Sequence, residues 1–476
     1  MNTIPHGYGY GAANTKRGLT PSQKCRLEVA DYLNPLIDEL IDMGEENTPV
    51  IDWMWDMGNE FVVSVKVDTV QKWKEAVICS AKWMWKDQFG NVFEGGRMRS
   101  WKKLLYLPAP SPEEVTGNTQ RSIPQFLWAT NYTTPPNRTE MAPYVYDLRP
   151  YAKCDRIEME EYRNTNIPAP DTKIGLCSKF KGGHHLVAPF VAYHRLIGVQ
   201  HFWFYVNEEV FNISDLPQTE YITYVPYPFT MEGRKQLVGG DVRPRHMLGH
   251  VFQTEAQQQC LYRAKRYGLD WIMTNDLDEY LWVNAIEEQD ELTVKKKNGS
   301  SLVTTTAEVA AASPPPPSHS PEQEASVLAR FLKKYEDNPK LGAVRVDGWA
   351  FGGQKNHQNA YEDRSLLPID LTTRAVVPTG GRFKLIYRVP TARKISVHWL
   401  YDGGYTTKTN VETEIQWRHY RRAAKNSGAS ESVFQSGRNP LVEDTKLRDK
   451  YRDSIVEWMR EHAPSSSRIE ESQDEV

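Results

Sequence analysis

The chain has no apolar run of about 18 residues, the length a bilayer-spanning helix needs. Its opening, MNTIPHGYGYGAANTKRG, lacks the apolar stretch of a secretory leader. No two of its five cysteines (Cys25, Cys79, Cys154, Cys177 and Cys260) form a CxxC pair, which argues against a structural zinc site. The odd count leaves at least one thiol free if any disulfide forms. A formal net charge of -3 gives no basic surplus, so nucleic acid is not an expected partner.

What the chain has is aromatic surface: 14 Trp and 24 Tyr, enough to fill cores and also to offer faces to sugars. At 476 residues, 39% of them hydrophobic, it is long enough for two or three domains. Four N-x-S/T sequons, at Asn131, Asn137, Asn212 and Asn298, point weakly to a secretory route.

Texture divides the chain. Residues 1–22 are polar and Gly-rich and read as disordered. Across 23–150 a helical segment broken at Pro35 leads into a β-rich stretch, for which a sandwich is one arrangement. FVVSVKVDTV (61–70) alternates like a strand there. Residues 151–173, ending in NTNIPAPDTK, read as a linker. Strand–helix–strand alternation then predicts a mostly parallel α/β sheet flanked by helices over 174–425. The strands are IGLCSKF, 200–207, 221–228 and LDWIMTN. The helices are 184–199 and 252–268, the latter closed at Gly268 by a left-handed cap. A low-complexity insertion fills 293–324, and 426–476 reads as a C-terminal helix and a disordered acidic tail.

The most informative segment is WIMTNDLDEYL (271–281), where a strand delivers three acids at its carboxyl end. Ligands of parallel sheets bind beyond such ends. Buried charges there need a cation. Read as extended chain, Asp276 and Asp278 share one side and face one ligand. Two carboxylates beside a diphosphate call for a divalent ion, Mn²⁺ or Mg²⁺, between them. A glycoside hydrolase also needs two acids, but on opposite faces of the sugar.

An ordered set of pieces resembles glycosyltransferase family 92. They are YHRLIGVQHFWFYVN (193–207), residues 253–281, DGWAFGG (347–353), FKLIYRV (383–389), ISVHWL (395–400) and IQWRHYRR (415–422). The resemblance covers about 174–420. It implies a GT-A fold, a UDP-sugar donor (UDP-galactose above others), a glycan or glycoprotein acceptor, Mn²⁺ and inversion at the transferred carbon. It also implies a Golgi lumen or membrane location, which this N-terminus matches only if the chain is shortened at its beginning. A preceding β-rich domain is expected of plant members.

On that reading Asp278, Asp276 and His398 are the candidate metal ligands. Asp276, Lys384, Arg388, Asn207 and Gln253 are candidate donor-binding residues. Asp347, His357 and Asp402 are candidate general bases. Trp349 and Phe351 are either an acceptor platform or core, and His194 reads as a packing residue. Three departures from the family pattern stand out: Pro189-Phe190 in place of an acid–Trp pair, Gly182-Gly183 after Lys181, and Val389 in place of a proline. They keep open a catalytically silent glycan-binding protein on the same scaffold. A metal-dependent phosphohydrolase would use the same acids.

Overall fold

The structure is a computed structural model. It describes residues 20–22, 24–25, 149–163, 172–180, 182–206, 216–227, 253–284, 326–352, 366–376, 378, 383–420 and 441–462, together with the backbone of eight strands between 50 and 147. Those eight are β1 (Val50–Asp56), β2 (Glu60–Lys66), β3 (Lys82–Lys86), β4 (Val92–Glu94), β5 (Arg99–Trp101), β6 (Leu104–Pro108), β7 (Ile123–Trp128) and β8 (Tyr144–Asp147). They form two antiparallel four-stranded sheets, ordered β1-β2-β6-β5 and β4-β3-β7-β8.

Helix α1 (Arg149–Arg163) follows, within the segment that reads as a linker. The correction has a physical reason. The buried face of α1 includes Asp155 and Glu158 beside Cys154 and Met159, so no clean apolar stripe marks it in the sequence.

The main sheet is built from β9 (Ile174–Phe180), β10 (His201–Val206), β11 (Ile222–Pro226), β12 (Trp271–Thr274), β14 (Leu341–Val346), β17 (Lys384–Arg388) and β20 (Tyr405–Lys408). Its order is β11-β10-β9-β12-β17-β14-β20, with every strand parallel to the others except β17. A second sheet, ordered β13-β21-β15-β16-β22, contains β13 (Glu279–Val283), β15 (Gly348–Phe351), β16 (Thr373–Ala375), β21 (Ile415–Tyr420) and β22 (Leu441–Glu443). A hairpin of β18 (Lys394–Ser396) and β19 (Trp399–Asp402) lies beside α3 (Gln253–Arg266).

Strand β10 shows how the main sheet is held. All six residues of HFWFYV are buried. Phe202, Phe204 and Val206 join one apolar cluster, while Trp203 and Tyr205 join another. The pleat therefore feeds two cores, as a sheet covered on both faces requires. Helices α2 (Val187–Leu196), α4 (Val327–Lys333) and α5 (Lys446–His462) contribute to the first core, and α1 and α3 to the second. Helix α5 places Leu447, Ile455 and Met459 in the first core, so the folded unit runs past the expected limit at 425.

Two disulfides pin the second layer: Cys25–Cys154 on α1, and Cys177–Cys260 between β9 and α3. They close loops of 129 and 83 residues. In the chain-entropy picture each loop of that length is worth about 4–5 kcal/mol. Helix α3 ends before Gly268, which has φ 64°, the left-handed cap that the sequence predicts.

Candidate active site

The acids sit where the chain changes sheets. Strand β12 ends at Thr274, and β13 begins the second sheet at Glu279. The link is a turn, not extended chain. The Glu279 amide donates to the Asp276 carbonyl (3.0 Å), and the Asp276 amide donates to Glu279 Oε2 (2.8 Å). The expected extended-chain parity of Asp276 and Asp278 therefore does not hold, and the two carboxylates have different neighbours.

Glu279 is the buried member, with its side chain 4% exposed, and Lys384 Nζ stands 2.6 Å from its Oε2. The same ammonium reaches Asp276 Oδ2 at 3.5 Å. Burial works against the Lys384 charge, but Asp276 and Glu279 outweigh it and raise its pKa above the ordinary lysine value. Asp276 is 41% exposed and also accepts from Gln253 Nε2 (3.3 Å), at the first turn of α3. Asp278 faces His419, whose Nε2 lies 3.3 Å from its Oδ2. His419 Nδ1 is 3.9 Å from Glu279 Oε1. The Tyr420 amide donates to the Asp278 carbonyl (2.7 Å), so β21 holds the turn from below.

His398 enters from the β18–β19 hairpin. Its Nδ1 donates to the Phe383 carbonyl (2.5 Å), which leaves Nε2 as the lone-pair nitrogen. Burial and the Lys384 charge lower its pKa, against the pull of Glu279 and Asp276, so the ring is neutral at pH 7. Gln258 on α3 positions this hairpin: its amide donates to the Arg393 carbonyl (2.8 Å) and accepts from the Ile395 amide (2.9 Å). At the ends of β9 and β12, Ser178 Oγ, Thr274 Oγ1 and Asn275 Oδ1 are buried with no protein partner, which gives that floor spare polar capacity.

The cluster thus answers what cation meets the acids. Among the described residues one ammonium, with the His419 ring beside Asp278 and Glu279, meets three carboxylates and leaves a negative surplus. Among the described residues no three His, Cys, Asp or Glu side chains converge as a group that could hold a metal on its own. A diphosphate-bound divalent ion needs fewer, because one or two carboxylates, phosphate oxygens and waters complete its shell. The carboxylates with a neutral imidazole are a donor set of suitable chemistry.

The other candidates do not join the acid cluster, although Asp347 follows Val346, the register partner of Lys384. Arg388 is at the far end of β17, where its guanidinium donates to the carbonyls of Glu336 (2.7 Å) and Asn338 (2.9 Å). Asp347 is at the carboxyl end of β14, bound to Arg345 (2.8 Å) and Lys408 (2.9 Å). Burial pushes its carboxyl up, but the bonds from Lys408 and Arg345 prevail and hold it below the ordinary value. Asp402 pairs with Arg393 (2.9 Å) at the end of β19 away from His398. Asn207 and His357 lie outside the described residues. Trp349 and Phe351 are buried, which removes them as an acceptor platform. His194 is wholly buried and binds the Phe190 carbonyl through Nδ1 (2.8 Å), as a packing residue does.

His419 is the residue that the sequence reading passed over. Its signal was present, in the piece IQWRHYRR, but nothing local ties that strand to the acids. The tie is the β13–β21 pairing, in which Glu279 stands opposite His419.

Two departures have structural accounts. Pro189 sits in the first turn of α2, where a missing N–H is tolerated, and Phe190 packs edge-on against Tyr280 of β13 (5.9 Å). Gly182 and Gly183 both have positive φ, 69° and 76°, a turn that side chains at those positions would strain.

A largely parallel sheet, one antiparallel strand within it, helices on both faces and acids at the carboxyl ends define a GT-A-like α/β protein. The profile of glycosyltransferase family 92 matches residues 184–463, and the chain belongs to that family. It is therefore a glycosyltransferase, a class that transfers a sugar from a nucleotide-sugar donor to a glycan acceptor. The matched segment ends just past α5, in agreement with the packing of that helix. No curated protein matches the chain at a significant level.

Proposed function

We propose that the protein is a metal-dependent, inverting hexosyltransferase that moves a hexose from a UDP-sugar to a glycan. Galactose is the sugar that the family resemblance favours. The observation that carries the reading is the partly balanced acid cluster at the strand ends, open to solvent through Asp276. One or both of Asp278 and Asp276, with diphosphate oxygens and waters, would hold Mn²⁺ or Mg²⁺, with His398 the candidate for a further ligand; the ion when bound would neutralise the diphosphate leaving group. His419 would orient Asp278 through its 3.3 Å contact. Lys384 pairs with the buried Glu279, whose bond to the Asp276 amide fixes the turn that presents both aspartates.

In the transfer, an acceptor hydroxyl oxygen forms the new bond to the anomeric carbon. The bond from that carbon to the diphosphate breaks, and its electron pair leaves with UDP. A general base takes the hydroxyl proton. Asp347, held between two cations, is a weak proton acceptor for this step. The two disulfides support an oxidising compartment such as the secretory lumen. Among the described residues no helix is long and apolar enough to cross a membrane.

Calorimetric titration of UDP, with Mn²⁺ and with EDTA, into wild type and Asp278→Ala tests the reading. Metal-dependent binding lost in the variant is the expected result. No UDP binding by the wild type overturns it.

A further inference from the structure

Beside the acids stands a cluster of the opposite balance. Arg345 and Asp347 lie two apart at the carboxyl end of β14, and Lys408 is the register partner of Arg345 in β20, so the three share one face of the main sheet. Asp347 accepts from Arg345 Nε (2.8 Å) and pairs with Lys408 (2.9 Å). Among the described residues neither cation has a second carboxylate, so two positive charges meet one negative.

The Arg345 guanidinium is fixed in place. Its Cζ lies over the Phe383 ring, 3.8 Å from the centroid, and Asp347 occupies its Nε. Among the described residues nothing else takes a bond from its terminal nitrogens, and the side chain is 32% exposed. Its two-nitrogen end therefore remains available. Lys340, exposed just before β14, has no such support among the described residues and is an ordinary solvated charge.

Phe383 links this cluster to the acid site. Its carbonyl accepts from His398 Nδ1 (2.5 Å), its ring centroid is 5.8 Å from that of His398, and the next residue is Lys384. Val346, between Arg345 and Asp347, is the register partner of Lys384. The Asp347 carbonyl accepts from the Trp417 amide (3.0 Å), two residues before His419. The cations thus lie on the strand next to Lys384, at the end of the sheet where ligands of parallel sheets bind.

Shape and stoichiometry specify the occupant. A guanidinium with both terminal nitrogens available matches a carboxylate in a two-bond fork, and its prior fixing lowers the ordering cost of binding. One positive charge in surplus suits one carboxylate, whereas a phosphate monoester brings about 1.5–2 negative charges. Among sugars, the carriers of a carboxylate include the uronic acids.

We propose that Arg345, supported by Lys408, is a carboxylate subsite beside the transfer centre, and that one substrate of the protein presents a uronic acid to it. The assignment rests on the transferase reading for its role, but the preference for an acid is measured by binding alone. The full chain is titrated by calorimetry with two matched pairs of ligands. Tri-galacturonate against its methyl ester, with UDP and Mg²⁺ present, reports a carboxylate on the acceptor. UDP-galacturonate against UDP-galactose, with Mg²⁺, reports one on the donor. Wild type should bind the acidic member of one pair about tenfold or more tighter. Arg345→Gln should erase that preference, and Arg345→Lys should retain part of it. Lys408→Gln should reduce it less, because the Lys408 side chain is 63% exposed. Thermal melts check folding, and UDP with Mg²⁺ is titrated into each variant. Lost acid preference with unchanged UDP binding supports the subsite. Equal affinity or no binding within both pairs, or a preference that survives Arg345→Gln, overturns it. So does a fall in UDP affinity of Arg345→Gln as large as its loss of acid binding, since the guanidinium then serves the diphosphate. A wild type that ignores UDP yet prefers tri-galacturonate to its ester removes the transferase reading and leaves the carboxylate subsite standing.

Discussion

The second-core face of the main sheet has a charge cluster of its own, and the two clusters differ in one respect. Between α1 and α3, Arg263 pairs with Glu158 at 2.9 Å, both nearly fully buried, and Arg266 pairs with Asp155. Tyr267 donates to Glu158 (3.1 Å), and Arg263 Nη1 donates to the Tyr205 hydroxyl (2.6 Å). Among the described residues two cations meet two anions there, away from solvent. At the carboxyl ends, among the described residues, three carboxylates meet one ammonium and the His419 ring, and Asp276 opens to solvent. Charge that is balanced and sealed serves docking of the helices. Charge left unbalanced at a strand end is available to a ligand. The difference lies in stoichiometry and access, not in burial alone.

The largest expected effect falls on the closed cluster. Arg263→Ala leaves Glu158 buried without its main partner, and breaking such a pair destabilises by about 3–5 kcal/mol. Urea unfolding should show that loss. A change below about 1 kcal/mol would mean that the cluster is wetter than its burial indicates, and the contrast would weaken.

The open cluster should instead gain from a cation. Mn²⁺ at about 100 times its dissociation constant should stabilise wild type by about 2.7 kcal/mol. Asp276→Asn or Asp278→Asn should abolish the thermal shift. Glu158→Gln should lower the melting temperature yet keep the shift, because it lies in the closed network. A metal-induced shift that survives Asp278→Asn would break the comparison.

Acid should act through buried histidines. Burial pushes His194 and His201 down to about 3, with Arg195 adding to the effect at His201. His201 lies beside the closed cluster, its ring 4.4 Å from Trp203 and 5.6 Å from Tyr267. The unfolded chain protonates these rings near pH 6.5, and the folded chain does so only near 3. Their contribution is therefore complete above about 6.5 and declines as pH falls toward 3. The slope is roughly 1.4 kcal/mol per pH unit for each histidine. Urea midpoints at pH 7, 6 and 5 measure it, and His201→Gln should remove about half. A flat profile for wild type would contradict the burial of both rings.

Much of this architecture was legible because it depends on local pattern. The continuous apolar run of β10, the helix ending at Gly268 and the strand before Asp276 all announce themselves within a few residues. Helix α1 did not, because its buried face carries Asp155 and Glu158, and the arginines that neutralise them come more than a hundred residues later. His419 was hidden for a similar reason: strand pairing, not sequence proximity, sets it against Glu279. Lys384 and Arg388 looked equivalent because residues four apart on a strand share a face. The strand's length separates them, with one on the acids and the other on the carbonyls of Glu336 and Asn338. The turn at Asp276 also escaped, since an apolar strand followed by alternating acids looks extended until Glu279 folds back onto the Asp276 amide.

The smallest effect should come from a third kind of charge. Asp402 and Arg393 form a 2.9 Å pair, but their side chains are 37% and 68% exposed. Water already solvates both, and exposed pairs contribute about 0–1 kcal/mol. Asp402→Asn should therefore shift the unfolding free energy by less than about 1 kcal/mol, and salt should erase most of that. Asp402 is also separated from His398 by the length of β19, so transfer of sugar should continue at a comparable turnover number. A loss of turnover greater than about tenfold, with donor binding intact, would restore Asp402 as the general base. The chain would then have to bring the end of β19 to the acids during the reaction, and the line between open and closed charge would have to be redrawn around that movement.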